Sequence, residues 1–248
     1  MTGTLVVTGA SRGIGAATAL LAAQEGYAVC VVYTQSRERA EAVVATIRAA
    51  GGTALAVAAD VTDEDAVCAM FDLAVARLGP LRALVNNAGI TGPLGPVASV
   101  EIATVRRVLD VNVVGTLLCA REAVRRMARS HGGTGGNIVN ISSRAAQYGS
   151  AGEFVHYAAS KAAIETLTLG LAREVAAEGI RVNCVSCGFI ATEMHAAAGD
   201  AGRLTRAVAQ VPLQRAGLPE EAARAILWLL SDAASYSTGA ILAVSGGR

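Results

Sequence analysis

The chain has 248 residues, 53% of them hydrophobic and 17% charged, with a net charge of +1. That composition suits one compact α/β domain and excludes a disordered chain, while the near-zero charge and few aromatics argue against a nucleic-acid surface. The longest uncharged stretch, 83–100, is broken by Asn, Gly and Pro, so it lacks the roughly 20 apolar residues of a membrane span.

In chain order, short Val-rich runs at 4–8, 28–33, 54–59, 83–87, 137–142, 182–186 and 240–244 predict seven strands. Helical periodicity predicts helices near 13–25, 37–50, 62–78, 101–130, 156–178 and 219–231. Thr62 followed by Asp65 reads as a capping box for the third helix, and Glu178-Gly179 closes the fifth. Alternation of the two element types predicts a single-domain Rossmann fold over 1–248, a doubly wound seven-stranded parallel sheet with helices on both faces. The Gly- and Ala-rich segment 188–217 has neither period. Lying beyond the carboxyl end of the sixth strand, it is expected to be a substrate lid. No basic leader precedes "TLVVTGA", and the odd number of cysteines, five, suits a reducing compartment, so a cytoplasmic setting is expected.

The first strand ends in "TGASRGIG", residues 8–15. Its glycines allow a tight turn and a close approach of backbone to a pyrophosphate, which would rest on the following helix N-terminus. Gly9, Ser11, Arg12, Gly13, Ile14 and Gly15 are therefore cofactor-binding candidates. The end of the second strand offers no carboxylate for the ribose hydroxyls of NAD, only "YTQSR". Ser36 and Arg37, with Arg12, would instead suit the 2′-phosphate of NADP(H), since guanidinium forks match phosphate geometry.

"YAASK", residues 157–161, sets Tyr157 and Lys161 one helical turn apart. An ammonium about 4 Å from a phenol contributes roughly 4 kcal/mol at an effective dielectric of about 20, or about three pKa units, with burial acting against it. Such a tyrosine can exchange a proton with a carbinol oxygen. "NISS" at the end of the fifth strand brings Ser142 and Ser143 to the same edge, where a hydroxyl can hold that oxygen.

With "NNAG" at 86–89 and the Asn of "DVNVVG" at 112, these motifs occur in the order of the short-chain dehydrogenase/reductase family, which the chain resembles over essentially its whole length. Its general appearance is similar to 3-oxoacyl carrier-protein reductases and to sugar or polyol dehydrogenases. The resemblance implies Tyr157 as general acid/base, Lys161 lowering its pKa and binding the nicotinamide ribose, Ser143 orienting the substrate oxygen, and Asn112 holding a relay water. It also implies Asn87, Ala88, Gly89, Asp60 and Val61 on the adenine side, Ile190 and Thr192 at the nicotinamide, and no metal. The Tyr–Lys spacing and glycine spacing set the chain apart from the enoyl-reductase and extended epimerase branches. A homodimer or homotetramer is implied, since long helices such as 101–130 and 156–178 commonly pack between subunits in this family.

Cys187-Gly188 replaces the family's common Pro-Gly and creates "CVSC", read as core packing rather than as a redox or metal pair. The spacing to Tyr157 leaves Ser142 and Ser143 both open, with Ser143 preferred. His156, about 100° around the helix from Tyr157, is expected to be structural. Arg125, Arg126 and Arg129 are read as a solvated helix end. The expected activity is NAD(P)-dependent hydride exchange with a small carbonyl or secondary alcohol. The alternative is a nucleotide-sensing regulatory protein without turnover.

Overall fold

The computed structural model describes residues 3–193, 202, 206 and 208–248. Seven strands, β1 Thr4–Val7, β2 Ala28–Tyr33, β3 Ala54–Ala58, β4 Leu81–Asn86, β5 Gly136–Ser143, β6 Ile180–Cys187 and β7 Ile241–Val244, form one sheet in the order β3-β2-β1-β4-β5-β6-β7. Every pairing is parallel, with Val7 beside Val85, Asn86 beside Asn140 and Ser143 beside Cys187. The order reverses between β1 and β4, which opens a crevice at their carboxyl ends.

Strand periodicity divides the core. Leu5, Val7, Val29, Val31, Val85 and Val139 face one side and pack with α1 Gly13–Gln24, α2 Arg37–Ala49 and a C-terminal helix α8 Pro219–Leu230. Val6, Cys30, Val32, Leu84 and Ile138 face the other, against α3 Glu64–Leu78, α5 Gly115–Met127 and α7 Val155–Val175. Both sheet faces are thus apolar, so these strands read as continuous Val-rich runs rather than as alternating ones. Among the described residues no helix is long and apolar enough to cross a membrane.

Three local expectations need correction. The helix expected over 101–130 comprises α4 Ile102–Leu109, a π-turn over Asp110–Val114, and α5, because the segment widens where Asn112 turns inward. The cap of α3 is Asp63, whose carboxylate accepts the Ala66 N–H at 3.1 Å, while the Thr62 hydroxyl donates to Asp60 at 2.8 Å. A short helix, α6 Ala145–Tyr148, follows β5 where no element was expected. The base of the 188–217 excursion is pinched by a parallel bridge between Ile190 and Gly217. Residues 194–201, 203–205 and 207 of the expected lid lie outside those described.

Candidate active site

The turn after β1 is shaped by glycine at two levels. Gly9 and Gly13 have φ of 62° and 56°, a region costly for other residues. At Gly15 a Cβ would stand 2.5 Å from Asn87 Nδ2 and 2.6 Å from the Gly9 carbonyl oxygen, so only glycine lets the turn close on the end of β4. There the Asn87 amide donates to the carbonyls of Thr8 (2.9 Å) and Gly9 (3.0 Å). The Thr8 hydroxyl accepts the N–H groups of Asn87 and Ala88, each at 3.0 Å. Thr8 is a positioning residue that sequence reasoning passed over, although it begins the glycine motif. Ser11 and Ile14 stand half-buried on this turn, and α1 begins at Gly13, where the first-turn N–H groups have no intrahelical acceptor.

Asp60 accepts from Thr62 and from Arg107 Nη2 (3.1 Å). Burial works against its charge, but the Thr62 and Arg107 hydrogen bonds outweigh that and hold the carboxyl below its usual range. Val61 is buried beside it, and Gly89 lies close to both Asn112 Oδ1 and Lys161 Nζ.

At the end of β2, Ser36 precedes α2 and Arg37 is its exposed first residue. Arg39, not Arg37, joins Arg12: both guanidiniums reach Glu193 Oε2, at 2.5 Å and 3.2 Å. Helix phase is the reason. Two residues along a helix turn a side chain by about 200°, so only one of the two arginines can lean toward the glycine turn. The pairing with Arg39, and then with Arg12, lowers the pKa of Glu193.

Asn112, fully buried, is the hub of the far side. Its Nδ2 donates to the Ile90 carbonyl and to Ser160 Oγ, both at 2.9 Å, and its Oδ1 accepts the Ile90 N–H at 2.9 Å. Ser160 Oγ donates in turn to the Tyr157 carbonyl at 2.7 Å, so Asn112 braces the turn that carries Tyr157. Sequence reasoning did not single out Ser160.

Lys161 is buried and donates to the Ile141 carbonyl at 2.8 Å; its Nζ lies 5.7 Å from the Tyr157 ring centroid. Burial pushes the ammonium down to about 8. The Ser142 hydroxyl is engaged between the Lys161 carbonyl (3.1 Å) and Glu165 Oε1 (3.0 Å), whereas Ser143 Oγ accepts the Ala145 N–H at 3.2 Å. Glu165, one turn beyond Lys161 and unremarked in the sequence, also accepts from Ser186 at 3.1 Å.

His156 turns away from the tyrosine to the Thr91 carbonyl at 2.8 Å. Cys184 and Cys187 are free and buried, with burial pushing both thiols up to about 12. Arg125 and Arg126 pair with Glu122, and Arg126 also with Asp72, so they are less free than a solvated helix end.

One cavity of about 350 Å³ gathers Ile14, Asn87, Gly89, Ser143, Tyr157, Lys161, Ile190 and Thr192. Residues 9–248 match the family model described as "Enoyl-(Acyl carrier protein) reductase". The chain is 55% identical over 243 residues to "Uncharacterized oxidoreductase YgfF" of Escherichia coli, covering 98% of each. It is an oxidoreductase of the short-chain dehydrogenase/reductase family. A family relative from Sinomonas cyclohexanicum, 46% identical over 242 residues (98% of this chain, 94% of the relative), is named "Cis-4-hydroxycyclohexanecarboxylate dehydrogenase". A solved short-chain dehydrogenase from Burkholderia cenocepacia, in complex with NADP, superposes with a TM-score of 0.92 at 34% identity, covering 100% of this chain and 98% of that one. The seven-stranded parallel sheet is the family's Rossmann-like fold, and family members use a nicotinamide cofactor.

Proposed function

We propose that this short-chain dehydrogenase/reductase uses NADP(H) to interconvert a ketone and a secondary alcohol, with Tyr157 as the proton-transferring group. The observation that carries the reading is the convergence of Ser143, Tyr157 and Lys161 with the glycine turn on one cavity. The residues fit a dinucleotide: a turn held open to backbone approach by Gly9, Gly13 and Gly15, and a helix N-terminus behind it. When bound, the nicotinamide supplies or accepts the hydride.

The chain's own residues do the rest. Ser143 and Tyr157 would both donate to the carbonyl oxygen, and Tyr157 would pass its proton as that oxygen gains charge. The Ala145 N–H bonded to Ser143 Oγ leaves the hydroxyl proton for the substrate. The Lys161 ammonium favours the phenolate from one helical turn away, and its remaining N–H bonds suit ribose hydroxyls. Asn112 acts by position, because its amide is committed to Ile90 and Ser160; a relay water would meet its backbone carbonyl, which the Thr116 hydroxyl shares at 2.8 Å.

Support for NADP(H) over NAD comes from Arg12 and Arg39, which meet on one carboxylate beside the glycine turn and would accept a 2′-phosphate in its place. The NADP in the Burkholderia structure supports the same choice. Ketone chemistry is preferred over enoyl reduction because Tyr157 and Lys161 share one helical turn, and the name of the Sinomonas relative makes cyclic ketones and ring alcohols the first substrates to try. Exposed Val114 at the end of the π-turn, Leu117 on α5 and Leu169 on α7 support a homodimer or homotetramer.

The test is NADPH oxidation against a panel of ketones by wild type and Tyr157→Phe, with cofactor fluorescence reporting that each protein is folded. Turnover that falls about 10²- to 10⁴-fold in the variant supports the reading. Tight NADPH binding without turnover on the whole panel favours the nucleotide-sensing alternative.

A further inference from the structure

The cavity holding Ser143 and Tyr157 has another polar feature that hydride transfer does not use. Arg144 and Arg248 line it together with Tyr148, Phe154 and Phe189. The Arg248 guanidinium carbon lies 4.6 Å from the Phe189 ring centroid and 5.6 Å from that of Tyr148, and the Arg144 carbon lies 5.3 Å from Tyr148. Arg144 Nε donates to the Arg248 carbonyl at 2.8 Å and its Nη2 to the Tyr148 hydroxyl at 3.2 Å. Two guanidiniums thus share one aromatic ring, fixed by a direct hydrogen bond between their residues.

Several arginines of the chain pair with a carboxylate, while Arg48, Arg82 and Arg181 hold main-chain or hydroxyl oxygens. Arg12 and Arg39 meet Glu193, Arg107 meets Asp60, Arg121, Arg125 and Arg126 meet Glu122, and Arg215 meets Glu221. Among the described residues no Asp or Glu side chain pairs with Arg144 or Arg248, and Arg144 holds the main-chain oxygen of Arg248 instead. Arg248 Nη1 is buried and donates to nothing in the described structure. A buried guanidinium N–H without an acceptor is costly. That cost is relieved by an anion, and a planar guanidinium fork is built to take a carboxylate.

We infer that Arg248 and Arg144 form a carboxylate-binding end of the substrate cavity, so that the substrate is a ketone or secondary alcohol with an apolar body and a carboxylate remote from the reacting carbon. This rests on the proposed role of Ser143 and Tyr157 at the reacting oxygen. The body would lie against Phe154, Phe189 and Tyr148. The carboxylate would accept from Arg248 Nη1, which fixes which ketone carbon faces the hydride.

Two measurements test it separately from turnover itself. First, kcat/KM is compared for 4-oxocyclohexanecarboxylate and its methyl ester, which differ by the charge and one methyl group. Wild type is expected to prefer the acid by about 10-fold or more, Arg248→Met to lose that preference, and Arg248→Lys to retain part of it. An acid-to-ester ratio near one in wild type, or a ratio that survives Arg248→Met, overturns the inference while leaving ketone reduction standing. Second, calorimetry with NADP-loaded wild type compares cyclohexanecarboxylate with cyclohexanecarboxamide, needing neither a variant nor turnover. Selective carboxylate binding without reduction of either ketone would support the anion site and sink the proposed activity. Equal or absent binding of the two overturns the site.

Discussion

Asn112 and Ile90 hold each other in both directions: the side-chain amide donates to the Ile90 carbonyl and accepts the Ile90 N–H, each at 2.9 Å. The first consequence concerns the π-turn of 110–114, which presents Asn112 to the segment that follows "NNAG". Asn112→Ala leaves both Ile90 groups without their partner, at about 1–2 kcal/mol for each partly buried group. A lower melting temperature is expected together with a fall in kcat, since Ser160 and the Tyr157 carbonyl lose their brace. An unchanged melt would show that Asn112 is not the pin.

Cofactor preference is expected to follow Arg39 rather than Arg37. Removing one charge-assisted contact to a phosphate costs about 10-fold or more in affinity. Arg39→Ala is therefore expected to weaken NADPH binding by that factor with little effect on NADH, while Arg37→Ala changes neither strongly. Glu193→Gln is expected to tighten NADPH, because it removes the carboxylate that now engages both guanidiniums. Fluorescence titration of the two nucleotides reads all three outcomes, and an Arg37 effect larger than that of Arg39 would reverse the assignment.

Lys161 gives a pH signature. Burial presses its pKa from the ordinary 10.5 to about 8, so between about 8 and 10.5 the folded chain holds fewer protons at this site than the unfolded chain. Stability contributed by the site therefore rises with pH across that window. Relative to Lys161→Met, wild type is expected to gain melting temperature as pH climbs through it, and paired melts cancel the thiols that titrate higher. Activity should move the opposite way, falling above about 8 as the charge beside Tyr157 disappears. A flat difference between the two proteins would contradict the buried ammonium.

Gly15→Ala probes the glycine turn. The added methyl group meets the Gly9 carbonyl and the Asn87 amide at distances that backbone cannot yield without shifting. Nucleotide affinity is expected to drop at least about 10-fold, as the turn and the end of β4 separate. Titration with NADPH measures it, and wild-type affinity would mean that the close approach is dispensable.

Much of this site was legible because its signals are local. The strands announce themselves as Val-rich runs, since both faces are buried, and Tyr157 and Lys161 are neighbours by helix geometry alone. What escaped depends on how distant elements meet. Arg39 and Arg37 are equivalent in sequence, and only the angle of α2 to the glycine turn separates them. Thr8 and Ser160 matter through partners 79 and 48 residues away. Arg248 meets Arg144 across 104 residues, a contact no periodicity encodes. The π-turn at Asn112 likewise follows from the pull of Ile90, whereas the helical pattern of 101–130 runs straight through it.

The most direct measurement of the central claim is isotope transfer. NADPH carrying deuterium at its transferable position is incubated with 4-oxocyclohexanecarboxylate and the protein, and the product is examined by mass spectrometry and NMR. One deuterium on the carbinol carbon, in a single stereochemical sense and absent with Tyr157→Phe, is the expected result. Unlabelled ketone recovered beside tightly bound NADPH, for this and for other cyclic ketones, would contradict catalysis at Tyr157 and make the cavity a nucleotide sensor.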